Sequence, residues 1–505
     1  SGNIKRTFGG LSFNGMNQHD VLHRNEHHNM RFRYLDTWEE DKSIGTNMYV
    51  IDLWTVGFGK GAHATLSKFG NIISAMPEQA RKLVANGEMV LVIRSDGEGF
   101  SVTARDGAVE TVQDYKDQSF GITVYLNKSV GTASSNDLSE TAIKSTIDKA
   151  FSLSSLTAGD ECNGLADRER MATEELDLDL YNPWNLEIKK AKSMAIECEA
   201  SALDFDEKVV NSEGATIGSY MNQSLYANSH GFLGMSKSTG HSISCTAIAA
   251  DNGAMEMDYD YTSARHYDDL QGHKEIGILA AKQALDHLGS RKIKTTKAPV
   301  IFSPRVSGSL MSHLMSAISG SSLYRNSSFL LNSKDKKICP EFINIHEEPH
   351  LKRGFSSCYF DAEGVKTAPR FIVQNGVLKG YLLSSYSARR LGLETTGNAG
   401  GHHNLVLEPT IEEDMQSMIK NIGSGFLVTG LIGYGVNIVN GDYSRGANGF
   451  WIENGEIAYP VSEVTVAGNL KDMLMKINAV GNDPEKKGSI YAGSVLIDDL
   501  MIAGE

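Results

Sequence analysis

The residues best suited to chemistry are His346, Glu347 and His350, in the run His346-Glu347-Glu348-Pro349-His350. Read as H-E-x-x-H, this spacing places two imidazoles on one helix face to bind zinc, and the glutamate activates the metal-bound water. A self-sufficient metallopeptidase using His346, Glu347 and His350 is therefore one reading. Pro349 opposes it: inside a helix it removes an amide donor and clashes one turn back, at a cost of about 3 kcal/mol or more. It also pushes Glu348 away from the helical region, so a surface loop is the competing expectation. His402-His403, after Gly397-Asn398-Ala399-Gly400-Gly401, is a second histidine pair. Neighbours on an extended chain point to opposite sides, so one ion is poorly served by both. His19, His23, His27 and His28 form a third group, in a polar stretch where exposed sequence is the commoner meaning of such a pattern.

Several other chemistries lack their signatures. There is no G-x-x-x-x-G-K-[ST] phosphate loop, and Gly433-Tyr434-Gly435 does not complete a dinucleotide fingerprint. Val306-Ser307-Gly308-Ser309 and Gly423-Ser424-Gly425 are too generic for a serine nucleophile elbow. Five scattered cysteines without a C-x-x-C pair exclude a zinc ribbon and fit reduced thiols in a cytoplasmic protein. The charge balance, 48 − 62 = −14, repels a phosphate backbone and argues against nucleic acid as partner. No window approaches the roughly 18 apolar residues of a membrane-spanning helix, so no membrane partner is expected.

Positioning these residues requires elements that the pattern supplies. The 505 residues predict two or three domains, and 50 glycines against 10 prolines suit many tight turns between strands. Residues 1–70 read as an N-terminal extension, 71–290 as an α+β domain and 298–505 as a β-rich domain. The first domain has strands over Met89–Arg94, Gly99–Arg105, Ala108–Val112 and Phe120–Leu126, broken by Asp96-Gly97 and Asp106-Gly107 turns. Helices follow from Ser139-Glu140, from about Leu186 to Leu203, and from His273 to His287 before Gly289. The basic run Ser290–Lys297 reads as a surface connection. The second domain opens on the strand Ala298–Phe302 and a helix through Leu310, Leu314 and Ile318. Gln374-Asn375-Gly376 and Asn454-Gly455 then mark antiparallel hairpins. The fold class is α+β with mainly antiparallel sheets.

Longer runs carry a resemblance. Phe360-Asp361-Ala362-Glu363-Gly364-Val365, Ser387-Ala388-Arg389-Arg390-Leu391-Gly392, Thr396-Gly397-Asn398-Ala399 and Asp442-Tyr443-Ser444-Arg445-Gly446-Ala447-Asn448-Gly449-Phe450-Trp451 resemble the TldD/PmbA family, also called modulators of DNA gyrase. The resemblance spans roughly residues 85 to 505. It implies a two-subunit peptidase acting on peptides or unfolded protein, in which the TldD-type subunit holds zinc through an H-E-x-x-x-H helix and a later cysteine.

The corresponding helix here contains Ser312-His313-Leu314-Met315-Ser316-Ala317-Ile318. In one register the ligand places fall on His313, Leu314 and Ile318; in the other, on Ser312, His313 and Ala317. Both lack the glutamate and the second histidine. The resemblance thus implies a subunit with no catalytic residue and no metal ligand of its own, with zinc held by a TldD-type partner. A homodimer of the chain alone is compatible with it. Asp361, Glu363, Asp442 and Arg445 are its candidates for groove or structural positions. A non-enzymatic modulator of gyrase or of a toxin–antitoxin protein is the remaining alternative.

Overall fold

The computed structural model describes residues 6–8, 11–13, 89–230 and 232–505. His19, His23, His27 and His28 lie outside the described residues. Two short strands, β1 (Arg6–Phe8) and β2 (Leu11–Phe13), pair antiparallel. The chain divides into two units, one of Ser1–Gly97, Asp117–Met171 and Gln223–Ser236, the other of Glu98–Lys116, Ala172–Asn222 and Lys237–Glu505.

The expected break at Asp96-Gly97 does not occur: β3 (Met89–Arg105) runs through it as one strand. Local turn preference yields to the sheet, because β3 lies between two neighbours in a strand order 5-4-3-6-7-8. Asp106-Gly107 does turn, with both residues at positive φ, and leads into β4 (Ala108–Leu126).

In the first unit, Asn127 and Lys128, also both at positive φ, connect β4 to β5 (Ser129–Ser135). The helix α1 (Glu140–Leu156) starts at Ser139, whose side chain accepts from the Ala142 amide. It lies directly on β5, since a Cβ at Gly131 would meet the Ala150 carbonyl oxygen at 2.0 Å.

Next in the chain, α2 (Ile188–Leu203) precedes β6 (Val209–Asn228), β7 (Leu233–Asp251) and β8 (Ala254–Ala264), and α3 (His273–Asp286) follows. Along β7, Ile243, Cys245, Ala247 and Ala249 alternate inward and meet Ala195, Ala202, Ile276 and Ala280 of the helices. Buried Glu199 accepts from the Asp106 and Gly107 amides at 2.9 and 3.0 Å, which fixes that turn.

The C-terminal part begins with β9 (Thr296–Phe302), α4 (Pro304–Ala317) and α5 (Gly320–Tyr324). Next come β10 (Ile345–Glu347), β11 (Arg370–Gln374), β12 (Val377–Leu378), α6 (Ser385–Leu391) and β13 (Leu405–Leu407). Then α7 (Met415–Ile422), β14 (Gly425–Ile432), β15 (Asp442–Glu453), β16 (Glu456–Asn469) and α8 (Leu470–Met475) lead to β17 (Ile477–Val480), β18 (Ile490–Tyr491) and β19 (Val495–Ala503). One sheet has the order 16-15-14-9-19-17, and β16 also pairs with β19, which closes five strands into a ring. A second sheet has the order 12-11-10-13-18. The Asn375-Gly376 and Asn454-Gly455 hairpins form as expected, all four residues at positive φ. Pairing is mainly antiparallel, with β14–β9 and β13–β18 parallel.

The contact between α2 and α3 is tight enough to test. A Cβ at Gly277 would meet the Cys198 carbonyl oxygen at 2.1 Å. Gly277→Ala is expected to lower stability by about 1–3 kcal/mol through overpacking, read as a reduced urea midpoint with unchanged m-value.

Candidate functional site

The helix α4 begins with Pro304 at its first turn and buries Leu310, Met311, Leu314 and Met315. His313 sits on it with its ring centroid 6.0 Å from that of Tyr443 on β15, edge to face. His313 Nε2 and the Tyr443 hydroxyl are both buried without a hydrogen-bond partner. Burial first, and the Arg445 charge second, hold the imidazole below its usual range, so it is neutral at pH 7. Burial pushes the Tyr443 phenol up to about 12.

A neutral imidazole can bind zinc, but zinc needs at least three protein ligands. Around His313 the same helix supplies Leu314, Ala317 and Ile318, all apolar and buried. Among the described residues no group of three or more His, Cys, Asp and Glu side chains is placed to hold a metal ion. The residues around His313 do not fit a zinc ion of the kind the resemblance gives to a TldD-type subunit.

The H-E-x-x-H run is not a helix: its first two residues are strand and its last two form a turn. It enters β10, which pairs with β11 on one side and β13 on the other, inside the five-stranded sheet. Glu347 is 1% exposed. Its Oε1 accepts from Asn398 Nδ2 and the His403 amide, both at 2.7 Å, and its Oε2 accepts from Arg370 Nε at 2.9 Å. His346 turns away to Glu348, 2.8 Å from its Nδ1, while His350 Nε2 meets the Thr367 hydroxyl at 3.0 Å. The three residues of the metallopeptidase reading do not converge, and the carboxylate of the would-be base is fully engaged.

Asn398 uses its whole amide. Its Oδ1 accepts from Arg370 Nη2 and Thr396 Oγ1, and its Nδ2 donates to Glu347 and the Gly401 carbonyl. Asp361, 3% exposed, accepts from the Glu363 and Val365 amides at Oδ1 and from the Ala399 amide at Oδ2. Two buried carboxylates thus fasten the segment 397–403. Burial outweighs the three amide bonds and pushes the Asp361 carboxyl up to about 6. Glu363 Oε2 accepts from the Ser385 amide in the first turn of α6, at 2.8 Å. Asp442 accepts from Asn440 and Asn469 at the exposed start of β15, and Arg445 Nε donates to the Gly433 carbonyl at 3.1 Å. Asp361 and Glu363 therefore share one region, whereas Asp442 and Arg445 belong to the His313 side.

One pairing has no sequence signal: Cys358 Sγ lies 3.3 Å from His403 Nδ1. His403 Nε2 meets the Gly397 carbonyl at 2.9 Å, and a carbonyl only accepts, so Nε2 carries the proton and Nδ1 receives the thiol hydrogen. Burial, then the Asp361 and Glu347 carboxylates, push the thiol up to about 12. The cysteine is held as a thiol, the opposite of a thiolate nucleophile.

Between α4, α5, α6 and the segment 397–403 lies a cavity of about 660 Å³. Ser312 and Ser316 line one side and His402 the other, with Met315 and Leu382 also in the wall. A Cβ at Gly320 would meet Ser387 Oγ at 2.2 Å, so glycine is what allows α5 to start against α6.

Sequence profiles of three consecutive domains match: the PmbA/TldA metallopeptidase domain 1 over residues 91–154, the central domain over 181–288 and the C-terminal domain over 295–504. The chain belongs to the PmbA/TldD family. Metalloprotease PmbA of Escherichia coli O157:H7 is 46% identical over 407 residues, covering 81% of this chain and 90% of that protein. A PmbA homolog of Haemophilus influenzae is 43% identical over 432 residues, covering 86% and 95%. A solved structure from Bacteroides thetaiotaomicron, described as a candidate modulator of DNA gyrase, has a TM-score of 0.78 at 31% identity, covering 85% of this chain and 98% of that one. TldE from Thermococcus kodakarensis shares the fold, with a TM-score of 0.70 at 21% identity over 85% and 100%.

Two outcomes follow for this PmbA/TldD-family chain. Iodoacetamide at pH 7.5 should leave Cys358 unmodified in the folded protein and label it after unfolding in urea, as read by peptide mass spectrometry. The Asp361 carboxyl is protonated at higher pH in the folded state than in the unfolded state, so its stabilising contribution is complete below about 4 and lost as pH rises through about 6. Relative to Asp361→Asn, the wild-type protein should lose about 3 kcal/mol between those limits and run parallel above them, measured by urea unfolding.

Proposed function

We propose that this chain is the TldE-type subunit of a heteromeric peptidase that degrades or processes unfolded polypeptides and peptide precursors, with zinc and the general base supplied by a TldD-type partner. The carrying observation is α4, which presents His313 beside Leu314, Ala317 and Ile318, without a carboxylate and without a second imidazole. A lone imidazole cannot hold zinc, which needs at least three protein ligands. In this reading the chain shapes and encloses the path of the peptide and leaves bond cleavage to its partner.

The family's domain profiles cover most of the chain and support a peptidase setting. The net charge of −14 disfavours a role that needs direct contact with DNA. Among the described residues no helix is long and apolar enough to cross a membrane, in keeping with soluble polypeptide substrates.

The test is purification of the chain alone and co-expressed with a TldD-type subunit from the same organism, followed by zinc analysis and peptide-cleavage assays. The isolated chain is expected to carry no stoichiometric zinc and to be inactive, and the co-purified complex to carry zinc in the partner and cleave. Stoichiometric zinc with activity in the isolated chain, abolished by Glu347→Ala while the fold is retained, would overturn the proposal. Co-purification with gyrase and with no TldD-type subunit would favour the non-enzymatic modulator instead.

A further inference from the structure

The cavity beside α4 has a consistent chemical character. Ser312 Oγ donates to the Gly308 carbonyl at 3.2 Å, Ser316 Oγ to the Ser312 carbonyl at 2.9 Å, and Ser322 Oγ to the Ser316 carbonyl at 2.9 Å. A hydroxyl has one proton and two lone pairs, so these donations leave the three oxygens with acceptor capacity. His402 Nδ1 donates to the His403 carbonyl at 2.6 Å, so in the singly protonated ring the lone pair lies on Nε2. One face of the cavity thus offers acceptors from three hydroxyls and the other an acceptor from an imidazole.

The cavity walls carry no Asp, Glu, Lys or Arg side chain among the described residues. A cationic ligand would leave water without a counter-charge, and it would meet Arg325 and Arg390, which lie over the Tyr324 and Tyr386 rings of the wall. Neutral N–H donors fit. The volume of about 660 Å³ falls within the range of ligand-binding clefts. Met315 and Leu382 add apolar wall for side chains. The wall at 397–403 is held by the buried Glu347 and Asp361 carboxylates, so the acceptors are fixed before any ligand arrives.

We propose that this cavity binds a neutral, extended segment of polypeptide through its backbone N–H groups. The assignment rests on the peptidase-subunit reading and adds to it a peptide subsite on the chain that lacks the metal.

The probe is a peptide of about eight alanine, threonine and glutamine residues, labelled at its N-terminus with an uncharged fluorophore and amidated at its C-terminus, titrated against the isolated full chain by fluorescence anisotropy. Saturable binding is expected. An analogue N-methylated at alternate residues should bind about tenfold more weakly or worse, because each lost N–H removes a hydrogen bond. Ser316→Trp, at an exposed position that lets the indole fill the cavity, should weaken binding similarly with an unchanged urea midpoint. Leu156→Trp, exposed on α1, should bind as wild type. Absence of saturable binding, equal affinity for the N-methylated analogue, or equal affinity of Ser316→Trp overturns the assignment. Those failures leave the peptidase-subunit reading standing if the isolated chain is zinc-free and the complex cleaves; zinc with activity in the isolated chain strikes that reading directly.

Discussion

The contact between Glu347 and Arg370 sets the architecture of the candidate site. A carboxylate that is 1% exposed would be costly by several kcal/mol without partners. Here three donors from two chain segments answer it: Arg370 from β11, and Asn398 and the His403 amide from the segment 397–403. The constraint works outward. Satisfying the charge fixes Arg370, and Arg370 also reaches the Tyr381 carbonyl and Asn398 Oδ1, so strand and loop are held in one arrangement. Removing one partner of such a pair typically costs about 3–5 kcal/mol, because the other charge stays buried.

The other side of the site is built differently. Around His313 and Tyr443 the polar atoms are buried and unpaired, whereas around Glu347 and Asn398 every lone pair and proton named above has a partner. The first region sits where the resemblance puts a metal site, and its neighbours are Leu314, Ala317, Ile318, Tyr443 and Arg445, none of them a carboxylate or a second imidazole. The second has the residue types of a metal site and spends them on hydrogen bonds within the protein, to side chains and backbone alike. Residue type and catalytic capacity have separated, and only geometry distinguishes the two.

That distinction sets what was legible in the sequence. The Asn375-Gly376 and Asn454-Gly455 turns were readable because positive φ is a local demand met by local residue choice. The apolar faces of α1 to α4 were readable from helical spacing for a similar reason. Asp96-Gly97 misled, because its turn preference is weaker than sheet pairing on both sides. His346-Glu347 misled because the pattern says nothing about β11 and β13, which turn that run into a central strand. The Cys358–His403 pair and the cavity were invisible: the first joins residues 45 positions apart, the second gathers four segments. The missing glutamate and histidine on α4 were plain, because an absence needs no partner to be seen.

The ring in the C-terminal sheet has a kinetic side. Its strand β9 precedes every other member in the chain, and it is bracketed by β14 and β19, with β19 also sealing against β16. Before β19 arrives, β9 and β16 each expose an unpaired edge of the kind that recruits other chains. Such long-range closure raises the contact order and slows folding. During synthesis the ring stays open until β19, its last strand in the chain, has been made, so closure waits on residues about 200 positions beyond β9.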